Sequence, residues 1–338
     1  MADETHEAAL WKPVDGGAVD CILCAHRCRI LPGKRGVCRV RENRDGRLVS
    51  LVYGRVIANH VDPIEKKPLF HFLPGTRAYS IATVGCNFQC GFCQNWQISQ
   101  WPRDGKGEMP GTPMAPEAIV REAVRSACAS VSYTYTEPTI FLEYARDTAR
   151  LAREQGLRNT FVTNGYATDE AVDAMAGWLD AANVDLKAWT EAFYSRLCKA
   201  RLEPVKETIR RMHDAGIHVE VTTLVVPGRN DAMEDLRGIA EFVAGVSPDI
   251  PWHVSRYHPD YEMTDLPATP LCTIEQAMLV GRQAGLRYVF AGNVPGSQDT
   301  VCPQCGATVI RRNGYDVSIE NLKGATCAKC GAALPIVV

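Results

Sequence analysis

Residues 79–93 read Tyr79-Ser80-Ile81-Ala82-Thr83-Val84-Gly85-Cys86-Asn87-Phe88-Gln89-Cys90-Gly91-Phe92-Cys93. The first six form an apolar, strand-like run, and three cysteines follow at the spacing C-x3-C-x2-C. Outward from this stretch, strand-like runs recur at 130–135, 159–163, 183–186, 218–226, 252–256 and 287–290. Between them the i, i+3, i+4 apolar spacing predicts helices over 116–129, 139–155, 169–179, 204–215, 232–243 and 273–284. Strand and helix alternating six times imply an α/β fold on a parallel sheet, as a full or partial barrel or a doubly wound sheet. Either way, functional groups gather at the C-terminal strand ends. Gly85 and Cys86, Thr136 and Glu137, Asn164 and Gly165, Asp185 and Lys187, and His258 stand at those positions.

The 338 residues carry 37 Lys+Arg against 39 Asp+Glu, a net charge of −2 that argues against a nucleic-acid partner. No apolar run approaches the roughly 18 residues that span a bilayer, and the first seven residues are acidic where a signal peptide is basic. A cytoplasmic protein with no membrane partner is expected. Its 14 cysteines then point to metal or catalysis before disulfides. Cys128, Cys198 and Cys272 stand apart from the clusters and read as small packing residues. The stretch 103–111 reads as a surface loop; its Gly-x-Gly lacks the following helix of a phosphate cradle.

Cys86, Cys90 and Cys93 can hold three irons of a cubane cluster that normally takes four cysteines, leaving one iron open for chemistry. A zinc site completed by a distant residue is the alternative. Cys302, Cys305, Cys327 and Cys330 form two C-x2-C knuckles, each followed by glycine, the pattern of a zinc ribbon. Cys21, Cys24, Cys28 and Cys38 offer a third set, read first as structural zinc and second as an auxiliary iron–sulfur cluster. Arg27, Arg29, Lys34, Arg35, Arg39 and Arg41 flank them and favour thiolates. His253 reads as a satisfied structural histidine.

The loop 86–93, with Phe92 in the aromatic slot, resembles the signature of the radical SAM superfamily. That resemblance implies a 4Fe-4S cluster whose open iron is chelated by S-adenosylmethionine (SAM). Reductive cleavage of SAM would then give a 5′-deoxyadenosyl radical that abstracts a substrate hydrogen, with flavodoxin or ferredoxin as electron donor. Cys93-Gln94-Asn95-Trp96 is similar to the segment after the last cluster cysteine in activating enzymes of glycyl-radical enzymes. Glu137-Pro138 matches half of that family's Gly-Gly-Glu-Pro, and Asn164-Gly165 matches its Asn-Gly, with Val162 where the family has an acidic residue. Asp185-Leu186-Lys187 and Tyr257-His258 also match. By resemblance, Phe92, Asn95, Glu137, Asn164, Asp185, Lys187 and His258 surround the cofactors. The whole chain, including Pro32-Gly33, Ile64–Phe72 and Gly292–Gly296, resembles the AmmeMemoRadiSam-system radical SAM enzymes.

The expected architecture is a partial (β/α)6 barrel over 76–295, after a Cys-rich module over 1–75 and before a zinc ribbon over 296–338. The expected function is radical SAM chemistry on an unidentified substrate, with a protein as a candidate. Alternatives are a glycyl-radical activase proper, or a noncatalytic metal-ribbon module binding nucleic acid or protein.

Overall fold

The computed structural model describes residues 6–104 and 108–338. The acidic start and Gly105-Lys106-Gly107 lie outside the described residues. Eight strands build the central sheet: β1 (Ala58–Pro63), β2 (Arg77–Ala82), β3 (Ser130–Tyr133), β4 (Arg158–Thr163), β5 (Ala181–Asp185), β6 (His218–Val225), β7 (Trp252–Arg256) and β8 (Val289–Gly292). They lie side by side in the order β8-β7-β6-β5-β4-β3-β2-β1. β2 to β8 run parallel, each in sequence order beside the next, and β1 is antiparallel to β2.

Six helices connect the seven parallel strands: α1 (Pro116–Arg125), α2 (Leu142–Glu154), α3 (Asp169–Met175), α4 (Glu203–Asp214), α5 (Met233–Val246) and α6 (Leu271–Gln283). This is the expected (β/α)6 partial barrel. Local chemistry explains the starts: Pro116 and Pro204 sit in the first turns of α1 and α4, and the Thr168 side chain accepts from the Ala171 N–H to cap α3. The buried face of α2, Ala145, Thr148, Ala149 and Ala152, is small enough for close approach to the sheet.

β1 was not anticipated, because Asn59, His60 and Asp62 give it no apolar alternation. It also corrects the expected boundary at 75/76: the sheet starts inside the N-terminal module. Val19, Leu23, Ile30, Val40 and Leu48 share one core with Val84, Phe88 and Ile140 of the barrel. Short antiparallel strands of this module, including Val19–Cys21 against Arg29–Ile30, lie over the C-terminal ends of the barrel strands. There the Thr168 hydroxyl donates to the Ile22 carbonyl, and buried Arg41 pairs with buried Glu143.

The opposite end of the barrel is closed by residues 64–72 and the C-terminal segment. Buried Glu220, at the start of β6, accepts from the backbone N–H groups of Phe70 and His71 at 3.0 and 2.7 Å. It also meets His253 Nε2 at 2.6 Å, which makes His253 the satisfied structural histidine expected. Val337 pairs with Phe72, and Arg312 donates to the Phe70 carbonyl. The C-terminal module thus forms the floor of the barrel, with a small core of its own around Val309, Ile310, Leu334 and Ile336.

Candidate functional site

β2 delivers the loop of Cys86, Cys90 and Cys93 to the upper end of the barrel. Gly85 makes the turn with φ +100°, and a Cβ there would stand 2.7 Å from Val40 and 3.2 Å from the Cys38 carbonyl. Only glycine fits this approach of the N-terminal module. On the other side, the Gln89 and Gly91 N–H groups donate to the carbonyls of Cys198 and Leu197, in a π-helical turn over Tyr194–Cys198. The Glu262 N–H donates to the Gly91 carbonyl, and Trp96 stacks on Tyr261. The loop is therefore held from three directions.

Burial raises the Cys86 thiol pKa well above its ordinary value, and Glu137 and Cys90 add to this. Cys90 is raised as strongly, first by its contact with the Cys198 thiol. Burial also raises Cys93. Three thiols with raised pKa values, Cys90 buried and Cys86 and Cys93 half-buried, need a cation to become thiolates, and iron supplies one. The three sulfurs do not lie within 4.8 Å of one another. Thiolates sharing one zinc at 2.3 Å bonds stand about 3.8 Å apart. Wider spacing suits one thiolate per iron. The loop fits the cluster its motif implies and does not fit a single zinc ion.

Asn164, at the end of β4, donates from its amide to the Cys86 sulfur at 3.7 Å and to Asn87 Oδ1 at 2.7 Å. Gly165 follows at φ +67°, with a Cβ position 2.6 Å from Val184. Lys187 Nζ lies 2.8 Å from Asp185 and 5.9 Å from the centre of the Phe92 ring. Burial opposes the Lys187 charge, but Asp185, Cys90 and Cys198 outweigh it and raise its pKa well above the ordinary value. Lys187 is a fixed cation beside the loop, fitted to a carboxylate such as the one SAM carries. Phe92 packs on Phe193. His258 is exposed and meets Gln94 at 2.9 Å, at the outer rim. Asn95 begins the short helical turn Trp96–Ser99 beside it.

Glu137 follows β3 and begins the next helical turn. It is buried, accepting from the Thr139 N–H and hydroxyl, the Thr163 hydroxyl and, at 2.8 Å, the Asn164 N–H. Its carboxylate joins the ends of β3 and β4 and sets Asn164. Tyr257 likewise turns inward, its hydroxyl bonded to the Met263 carbonyl. Sequence reasoning missed Asn87, Gln94 and Arg103, whose guanidinium donates to the Cys86 carbonyl. It also set Cys198 apart as packing, although its thiol meets Cys90; no spacing links positions 108 residues apart. Cys272, expected to pack, is exposed.

The other cysteine groups lie on either side. In the C-terminal module Cys302 and Cys330 sulfurs are 3.6 Å apart and Cys305 and Cys327 3.7 Å, with all four within 4.8 Å. That is the geometry of one tetrahedral ion. Cys21, Cys24, Cys28 and Cys38 cluster beside the loop without converging in this way: among the described residues no other metal-binding group has three ligand atoms within 4.8 Å. Of the flanking cations, Arg27, Arg29, Arg35 and Arg41 are held in ion pairs with Glu170, Asp20, Glu42 and Glu143. Among the described residues no helix is long and apolar enough to cross a membrane.

Residues 80–243 match the family model of the radical SAM superfamily. The chain is 46% identical to the uncharacterized protein MJ0808 of Methanocaldococcus jannaschii, over 98% of this chain and 99% of that one. It is 22% identical to the pyruvate formate-lyase 1-activating enzyme of Escherichia coli K12, over 47% of this chain and 65% of that one. A radical SAM methyltransferase from Sphaerobacter thermophilus has the same fold at a TM-score of 0.50 and 16% identity, covering 65% of this chain and 67% of that one. With its three-cysteine loop at the mouth of a six-unit partial barrel, this enzyme belongs to the radical SAM superfamily and is related to the activating enzymes of glycyl-radical enzymes.

Proposed function

We propose that the enzyme cleaves SAM reductively at a 4Fe-4S cluster on Cys86, Cys90 and Cys93 and uses the adenosyl radical to take a hydrogen from its substrate. The observation that carries this is the loop itself: one buried and two half-buried thiols, held from three sides and not gathered within 4.8 Å as one shared ion would need. When bound, the cluster and SAM supply the one-electron chemistry.

The chain's own residues position and shield. Asn164 donates to the Cys86 sulfur, and such hydrogen bonds tune a cluster's potential. Glu137 positions Asn164 through its backbone. Lys187, ordered by Asp185, binds the methionine carboxylate, and Phe92 walls off the loop beneath it. The closed floor keeps bulk water from entering the barrel opposite the loop. It also places the C-terminal module away from the reacting end, which supports a structural role for that module rather than a lid.

A glycyl-radical activase proper is the second reading, favoured by similarity to the pyruvate formate-lyase activating enzyme. Tyr135 and Thr136 stand where that family has the two glycines that by resemblance meet the SAM amino group, so the SAM contact there differs from that of the activases. The test is anaerobic reconstitution with iron and sulfide, reduction, and quantification of 5′-deoxyadenosine from SAM. The parent should produce it and Cys93→Ala should not; equal yield from both would refute the assignment.

A further inference from the structure

Cys21, Cys24, Cys28 and Cys38 stand directly against the catalytic loop. The His26 Nε2–H donates to the Asn87 carbonyl at 2.8 Å. One Arg103 nitrogen bonds the carbonyls of Val37 and Cys86, each at 3.1 Å. The Cys38 carbonyl lies within 3.2 Å of where a Gly85 side chain would begin, one residue before Cys86.

Cys21, Cys24 and Cys38 are buried and Cys28 half-buried beside this contact. Arg41, buried, donates to the Cys21 sulfur at 3.7 Å. Left-handed backbone at Arg27 (φ 44°) and Arg39 (φ 65°) shapes the chain beside Cys28 and Cys38, a conformation that costs energy for residues other than glycine. This is a built four-thiolate site rather than packing.

The floor module provides an internal comparison. There, pairs of sulfurs touch at 3.6 and 3.7 Å and all four gather around one point. Among the N-terminal sulfurs no three lie within 4.8 Å. In this they resemble Cys86, Cys90 and Cys93. One zinc ion cannot bridge such a set, whereas a cubane takes one thiolate on each iron.

We propose that Cys21, Cys24, Cys28 and Cys38 hold a second four-iron cluster that relays electrons to the one at Cys86, Cys90 and Cys93. A low-potential one-electron carrier reduces the second cluster by one electron. That electron crosses the Cys38–Gly85 contact to the loop cluster, and the second cluster returns to its oxidised state. The buried Arg41 charge beside Cys21 favours the reduced form. The relay rests on the radical SAM reading; the second cluster does not.

The test compares full-length parent protein with the Cys86→Ala/Cys90→Ala/Cys93→Ala variant after anaerobic reconstitution, by iron, sulfide and zinc analysis and by electron paramagnetic resonance after dithionite reduction. The parent should hold about eight irons and the triple variant about four, with a reduced-cluster signal in the variant. A triple variant without iron, or with zinc in the N-terminal site, overturns the proposal. Mössbauer spectra of the parent check this without any variant: four-iron-cluster intensity equal to about eight irons per chain supports it, and intensity equal to about four refutes it. Equal iron in parent and triple variant would instead sink the loop assignment and leave the second cluster standing.

Discussion

The Arg41–Glu143 pair joins the N-terminal module to α2 in a site where both side chains are 1% exposed, so solvent does not screen it. Arg41 also donates to the Ala9 carbonyl at 2.9 Å, the Ile140 carbonyl at 3.4 Å and the Cys21 sulfur at 3.7 Å, and Glu143 is its one carboxylate partner among the described residues. Glu143 accepts otherwise only from the Ala9 N–H at 2.6 Å, and its second oxygen has no partner. Glu143→Gln therefore leaves a buried guanidinium without its carboxylate partner, and Arg41→Met leaves a buried carboxylate without its cation. Each single change should cost about 3–5 kcal/mol. The double variant Arg41→Met/Glu143→Leu exchanges the pair for apolar volume and should cost under about 2 kcal/mol, so the coupling exceeds about 3 kcal/mol. Urea unfolding of the four proteins, kept anaerobic at equal metal content and followed by tryptophan fluorescence, measures it. Single losses below about 1 kcal/mol, or losses that add in the double variant, would refute the reasoning.

Gly85→Ala should destabilise by about 2–4 kcal/mol, because both the positive φ and the 2.7 Å approach to Val40 forbid a Cβ; an unchanged unfolding midpoint would contradict this. Burial lowers His71 from 6.5 to about 3. The unfolded chain thus takes up a proton near pH 6.5 that the folded chain refuses until about pH 3, and stability falls as pH drops through that window. Urea midpoints at pH 7 and pH 5 should differ by about 1–2 kcal/mol, and His71→Gln, which cannot titrate, should show a smaller difference. Removing metal from the C-terminal module by chelation should abolish hydrogen-exchange protection over residues 300–336, since its own core is small; retained protection would show that the apolar contacts suffice.

The barrel was legible because its signals are local. Each parallel strand contains a short apolar run, each helix has a one-sided apolar stripe, and seven strands alternating with six helices leave few topologies. The loop was legible for the same reason, its three ligands lying within eight residues. β1 escaped because Asn59, His60 and Asp62 break the apolar pattern, and its pairing with β2 is what makes it a strand. Glu137 and Cys198 show a second limit. Their motif or isolation suggested roles that only long-range contacts settle: Glu137 is bonded to Thr139, Thr163 and Asn164, and Cys198 reaches Cys90 through a π-helical turn. The N-terminal thiols were legible as ligands from spacing, but how far apart the fold holds them was not.

The central claim is that the loop cysteines leave one iron open to SAM. Electron–nuclear double resonance of the reduced parent protein with SAM carrying a 17O-labelled carboxylate and a 15N-labelled amino group tests this directly. The account predicts hyperfine coupling from both labels to the cluster, lost in Cys90→Ala. A reduced loop cluster in the parent with no coupling from either label would contradict it.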